Sequence, residues 1–241
     1  MRSLASFSIA GLRNSITSTV FMLLVSISVY SQELASATAL VDSIKAENTF
    51  YLRSISTPIN PSKKDVYIEE GWQHGVLVTD DENTLFFNGR INVVRGYLEC
   101  KVENRIRKIA PGRIKLIDLE GKKYIPIKGS SIDGGGINTY MNILSLGQIS
   151  LLKGYYIIVK SRGGDSINQE ITGTETLELG SDLFYTYDFG TIYRLRSNKK
   201  TILSLLSDKE DQVSNLIEIN RLKFSSDRDI STIFNFYNTI D

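Results

Sequence analysis

Between Val66 and about Leu206 the chain alternates short apolar runs with turn residues, a pattern that predicts β-strands. Gly75-Val76-Leu77-Val78 ends at Asp80-Asp81-Glu82-Asn83, and Thr84-Leu85-Phe86-Phe87 ends at Asn88-Gly89. Asn-Gly is a strong hairpin signal because both residues tolerate positive φ. A turn is therefore expected there, with Arg90-Ile91-Asn92-Val93-Val94 as the return strand. Ile114–Leu119 meets Glu120-Gly121-Lys122-Lys123 before Tyr124-Ile125-Pro126-Ile127. Later strands are expected at Leu151-Leu152, Tyr155–Val159, Leu183–Tyr187 and Thr191–Leu195, and a Ser197-Asn198 turn leads into a last one at Thr201-Ile202-Leu203. Roughly ten strands at this short, regular spacing predict a mainly β fold, an antiparallel sandwich or open barrel.

The period changes at both ends. Leu34, Ala37, Val41 and Ile44 make one helical stripe within Glu33–Asn48, and the two prolines of Thr57-Pro58-Ile59-Asn60-Pro61-Ser62 mark a loop. Near the C-terminus, Ser207-Asp208 can cap a helix carrying Val213, Leu216 and Ile217. Ser226, with Asp229 three residues on, opens a second whose Ile230, Ile233, Phe234 and Tyr237 fall at i, i+3, i+4 and i+7. Both stripes are expected to pack against the sheet or each other. The expected organisation is a leader over 1–31, a helix and linker over 32–62, and one β-rich domain over 63–241 with helices over about 207–240.

The first segment has the layout of a secretory signal. Arg2 and Arg13 precede the apolar run Val20–Val29, and no acidic residue occurs before Glu33. Val29 and Ser31 supply small residues at −3 and −1, so cleavage after Ser31 is expected, with Ala35-Ser36-Ala37 as the alternative. A spanning helix needs about 20 apolar residues, and the stretch from Ile16 to Tyr30 is shorter and contains five Ser/Thr. The cleaved chain would have no transmembrane segment, and would work in the periplasm, at the outer membrane or outside the cell. The single cysteine, Cys100, can form no internal disulfide and is expected to be a small, half-buried strand residue.

Composition excludes more than it selects. After cleavage the chain carries 26 basic and 27 acidic residues, which argues against a nucleic-acid partner. Residues 101–128 hold nine Lys/Arg against three Asp/Glu, whereas 163–191 hold six Asp/Glu and no Lys or Arg. The expectation is that these segments are neighbours and neutralise each other across strands. The functional alternative is a basic face for an anionic envelope glycolipid or a partner protein.

Candidate chemistry is sparse. His74 is the only histidine and lacks a nucleophile or metal-ligand pattern around it. Asp188-Phe189-Gly190 spells a kinase tripeptide without its companion motifs, and Ser130–Gly136 lacks the Lys-Ser/Thr of a phosphate loop. These are expected to be a hairpin turn and an inter-strand loop. Asp80-Asp81-Glu82-Asn83 does not follow the order of a calcium loop, so a hydrated turn is expected. No catalytic residue, metal ligand or cofactor motif is assigned. The candidate recognition residues are Trp72, His74, Arg105, Arg107, Lys108 and Arg113.

Trp72-x-x-Gly75-x-Leu77 followed by Asn88-Gly89-Arg90-Ile91-Asn92-Val93 resembles the start of a family of uncharacterised secreted β-rich proteins of Bacteroidota. Ile143-Leu144-x-x-Gly147-x-Ile149-Ser150-Leu151-Leu152-Lys153 is similar to that family's middle motif. The stretch from Tyr185 through Lys199-Lys200-x-Ile202-Leu203-x-Leu205 to Asn238 is similar to its closing part. The chain departs from the pattern at Arg95-Gly96-Tyr97, where an aromatic-Asn pair is usual. The resemblance implies an exported β-rich domain and carries over no activity and no functional residue. Together these readings lead to a non-enzymatic exported domain that recognises a protein or glycan of the cell envelope. A glycan-directed hydrolase with a carboxylate pair brought together by folding is one alternative. A subunit of an envelope assembly, docking through Ile230, Phe234 and Tyr237, is another.

Overall fold

The computed structural model describes residues 38–240 except 40, 131–135 and 162–174. The chain divides into two compact units, Met1–Tyr51 and Leu52–Asp241. The second is built on one antiparallel sheet of eleven strands that does not close. Its strands are β1 (Ser56–Pro58), β2 (Gln73–Thr79), β3 (Thr84–Asn92), β4 (Tyr97–Val102), β5 (Arg105–Ile109), β6 (Ile114–Leu119), β7 (Lys122–Ser130), β8 (Gly136–Ser145), β9 (Ser150–Ser161), β10 (Glu175–Thr186) and β11 (Tyr193–Arg194). They lie in the order β1-β5-β4-β3-β2-β6-β7-β8-β9-β10-β11. The sheet curls: fully buried Tyr140 on β8 turns its hydroxyl toward the backbone of Leu98 on β4, five strands away in this order. The far half of β10 approaches residues 63–68 and leaves an open seam of about 530 Å³ floored by Leu177 and Leu179.

Period-2 alternation explains the concave face. Leu77, Leu85, Phe87, Ile91, Leu98, Cys100, Ile109 and Ile117 are all buried and alternate along their strands with residues of the other face. The expected turn at Asn88-Gly89 is absent, and β3 runs straight through it. Gly89 pairs with both Gln73 and Cys100, and a Cβ there would lie 2.5 Å from the Glu99 carbonyl and 2.3 Å from the Phe87 ring. This glycine serves close packing. The chain reverses instead at Asp80–Asn83, where Thr79 accepts the Asn83 N–H at 3.0 Å, and at Val93–Gly96, where Asn92 accepts from Arg95. Glu120-Gly121 forms the expected tight hairpin, both residues at positive φ (50° and 84°). Asp188-Phe189-Gly190 is the expected turn, closed by Asp188 Oδ1 accepting from Gly190 at 2.9 Å.

Helices α3 (Glu210–Asn220) and α4 (Asp227–Thr239) cover one end of β8–β10. Ser226 caps α4 by accepting from Asp229 N–H at 3.2 Å, as the sequence predicts. Ile230, Ile233, Phe234 and Tyr237 join Val213, Ile217, Leu151 and Leu183 in one core, so that stripe is not available to an assembly partner. Asn238 pins α4 to the β8–β9 turn through the Ile149 carbonyl at 3.0 Å and Ser145 Oγ at 3.1 Å. The strand expected at Thr201–Leu203 is a helix, α2 (Lys199–Leu205), because Asn198 caps it by accepting from Thr201 at 2.9 Å. Ile202, Leu203 and Leu206 then fall on one buried side, a spacing that a strand would split between two faces.

Helix α1 covers 41–55 and so ends seven residues beyond the expected Glu33–Asn48; Leu34, Ala37 and the leader lie outside the described residues. Its Val41 and Ile44 are about half exposed. Thr57 and Pro58, which open the loop expected over Thr57–Ser62, instead join Ser56 in pairing against β5 as the edge strand, a position where proline is tolerated. Among the described residues the two charged segments form no ion pair with each other. Among the described residues Glu178 pairs with Lys160 and Asp182 with Arg194, while Lys115 pairs with Glu82 and Lys122 with Glu69. Strand order is the reason, since β8 and β9 separate β10 from β7.

Phe234 has no exposed surface and anchors the helix–sheet core. Phe234→Ala should cost about 3–5 kcal/mol, read as a lowered denaturation midpoint with an unchanged slope.

Candidate functional site

The outer face of β3 and β4 carries a buried polar cluster. β2 begins only at Gln73, so the end of β3 has a free edge, and residues 66–68 occupy it through Ile68 N–H to Ile91 and Val93 N–H to Val66. This lays Tyr67 over the cross-strand pair Arg90 and Glu99. Glu99 has no exposed surface, and all its partners come from the protein. Its Oε2 accepts from Arg90 Nε at 3.1 Å and Nη2 at 3.0 Å; its Oε1 accepts from Tyr67 at 3.2 Å and Asn92 at 3.1 Å. Burial, and then the Glu99 charge, push the Tyr67 hydroxyl's pKa far up, so Tyr67 stays a donor.

The Arg90 guanidinium stacks 3.6 Å from the Tyr67 ring centroid and 4.4 Å from that of Trp72. Lys101 Nζ approaches the same indole at 4.5 Å. Trp72 is thus half-buried and held by two cations, one of them fixed by Glu99. Asp65 braces the adjoining turn by accepting from Arg95 Nε at 3.1 Å and Ser62 N–H at 2.7 Å. Burial would raise its pKa, but the hydrogen bonds from Ser62, Arg95 and Asn92 prevail and lower it.

Three of the six candidate recognition residues meet on this face. Trp72 is at its centre. His74 is exposed and faces Asn88 across the strands, on the side that Arg90 shares by alternation. Lys108 is exposed, opposite Glu99, with Nζ 5.6 Å from the Tyr97 ring. The other three lie elsewhere. Arg107 points to the opposite face beside Cys100 and holds the end of α1 through Ser56 Oγ at 2.8 Å and the Arg53 carbonyl at 3.1 Å. Arg105 is exposed at the start of β5, and Arg113 is exposed in the 3-10 turn before β6. Arg90, Lys101 and Tyr97 were not singled out, although Arg90 and Glu99 lie on facing strands.

A second arrangement was missed altogether. Tyr185 lies at the end of β10 and Tyr187 just past it, and Tyr193 on β11 stacks on Tyr185 at 5.1 Å and 18°. Tyr187 meets both rings edge-on at 6.0 and 6.2 Å and is 55% exposed. Beside them an open cleft of about 570 Å³ is lined by Tyr185, Arg196, Asn198 and the Lys200, Thr201, Ser204 and Leu205 side of α2. The Tyr-x-Tyr spacing followed by Tyr193 was the available signal, but expecting a strand at 201–203 hid the cleft's second wall.

Among the described residues no group of three or more His, Cys, Asp or Glu is placed to hold a metal, and no helix is long and apolar enough to cross a membrane. Comparison with protein families, curated proteins and solved structures finds no match to this chain.

Two measurements check the cluster. Glu99→Gln leaves the Arg90 charge, only 14% exposed, without its counter-ion and should cost about 3–5 kcal/mol. Chemical denaturation reads that loss, and a change under 1 kcal/mol would contradict the role given to Glu99. Cys100 is fully buried rather than half-buried, and desolvation pushes its thiol up to about 12. The thiol should therefore resist an aromatic disulfide reagent at pH 8 in folded protein and react only after unfolding.

Proposed function

We propose that the chain is an exported recognition domain that binds an anionic glycolipid surface of the cell envelope and performs no chemistry on it. The observation that carries this reading is the preorganised Trp72, held between Arg90 and Lys101 on a face that also presents Lys108, Tyr97 and His74. Lys101 and Lys108 are exposed and, among the described residues, have no carboxylate within ion-pair distance. They are free to meet anionic headgroups. Arg90 is different: its charge is answered by Glu99, so it shapes the face rather than supplying attraction. Rigid aromatic anchors lose little freedom on binding, and the two lysines add a salt-dependent attraction.

The carboxylate nearest this face is not placed for acid–base catalysis. Both Glu99 oxygens are saturated by four donors, which leaves no lone pair aimed at a substrate. Export is supported by the charged, then apolar, start of the sequence, and the resemblance to secreted Bacteroidota proteins agrees with it. The basic cluster that the sequence suggested contributes only Lys101 and Lys108 to this face.

Trp72 is the only tryptophan, so its emission reports directly on the face. Vesicles doped with lipopolysaccharide should shift that emission, whereas purely zwitterionic vesicles should not. The apparent affinity should fall with added salt, and by roughly threefold for each of Lys101→Ala and Lys108→Ala, as for partly screened single charges. Unchanged emission, together with no co-sedimentation on the doped vesicles, would sink the proposal.

A further inference from the structure

The cleft between β10, the segment that follows β11 and α2 has the parts of a saccharide site, and it stands on elements separate from the Trp72 face. Helix geometry assembles one wall. Lys200 and Ser204 are one turn apart, as are Thr201 and Leu205, so all four come to one side while Ile202, Leu203 and Leu206 fill the core on the other. Tyr185 supplies the opposite wall, backed by its 5.1 Å stack on Tyr193 and bordered by exposed Tyr187. Such a stack fixes ring orientation and presents an aromatic surface without further loss of side-chain freedom.

The polar inventory selects the sign of the ligand. Asn198 Oδ1 is already used as the cap of α2, which leaves its amide protons as donors. Arg196 and Lys200 are exposed and, among the described residues, neither has a carboxylate within ion-pair distance. The nearby Asp182 is occupied by Arg194 at 2.7 Å. The cleft therefore offers two unneutralised cations, an amide donor, two hydroxyls and a tyrosine wall. Its volume of about 570 Å³ lies within the ordinary range of ligand sites and suits one or two sugar rings.

We propose that this cleft binds a carboxylate-bearing sugar, a hexuronic acid residue within a glycan chain. The pyranose face packs on Tyr185 and Tyr187, the carboxylate is met by Arg196 and Lys200, and ring hydroxyls are met by Thr201, Ser204 and the Asn198 amide. The guanidinium suits a planar carboxylate, and an aromatic wall suits the apolar face of a pyranose better than a bare inorganic anion.

The test is titration calorimetry on the full chain with a galacturonic acid tetrasaccharide, a neutral galactose tetrasaccharide and inorganic phosphate. The acidic tetrasaccharide should bind, with the other two at least tenfold weaker. Arg196→Gln and Lys200→Gln should each weaken binding by roughly tenfold, the weight of one hydrogen bond to a charged group. Tyr187→Ala, at an exposed ring, should weaken it by roughly fivefold with the circular dichroism spectrum unchanged. Lys101→Ala should leave this binding unaltered, which separates the cleft from the Trp72 face. Equal binding of the neutral sugar, equal binding of phosphate, indifference to the Arg196 and Lys200 changes, or no binding of the acidic sugar would each overturn the assignment.

Discussion

An antiparallel sheet that curls without closing leaves two edges and two faces to be covered from elsewhere in the chain, and most of this structure answers that requirement. At one edge the covering is minimal. β1 is three residues long and ends in proline, and Arg107 ties it to the end of α1. At the other edge β11 pairs with only two residues of β10, and the turn before it folds back so that Ile192 packs with Met141, Leu152 and Ile127. The concave face is closed at one end by the C-terminal helices. Their core continues directly from Leu151 and Leu183, so helices and sheet share one buried volume.

The same requirement creates the polar cluster on the outer face. Once residues 66–68 fill the free edge of β3, Tyr67 covers Glu99 and removes it from water. A carboxylate in that position is tolerable only with its charge and lone pairs met. Arg90, Asn92 and Tyr67 meet them, and the guanidinium thereby becomes a fixed platform for Trp72. The recognition face follows from a local electrostatic necessity, and so does its rigidity.

The tyrosine cleft has a different origin. It lies where the sheet ends and the helices begin, between a short edge strand and a seven-residue helix. Neither element can cover the other fully, and the gap between them leaves the Tyr185 ring beside two cations that, among the described residues, have no acidic partner. The outer face and the cleft differ in how their charges are handled. In the first, the central cation is neutralised and only its flanking lysines are free; in the second, both cations are.

Much of the fold was legible in the chain. The alternation from Gly75 to Leu119 placed β2, β6 and both halves of β3, and the i, i+3, i+4, i+7 stripe of α4 with its Ser226 cap was readable because periodicity and capping are local properties. Asn88-Gly89 and Thr201–Leu203 misled for the same reason. Each is a local signal overridden by non-local packing: a Phe87 ring and a neighbouring strand pressed on Gly89, and a core waiting for Ile202 and Leu206. Of the recognition residues, Trp72, His74 and Lys108 came together, while Arg107 went to structural use because strand alternation turned it to the other face. By itself the sequence determined the mainly β class, the C-terminal helices and the near-neutral charge, all carried by residue type and spacing. Only the tertiary structure decided that the sheet stays open, that Glu99 is buried against Arg90, and that Tyr185, stacked on Tyr193, lines one cleft with Arg196 and Lys200. Those features depend on which strands and helices meet, and that is settled by packing between segments far apart in the chain.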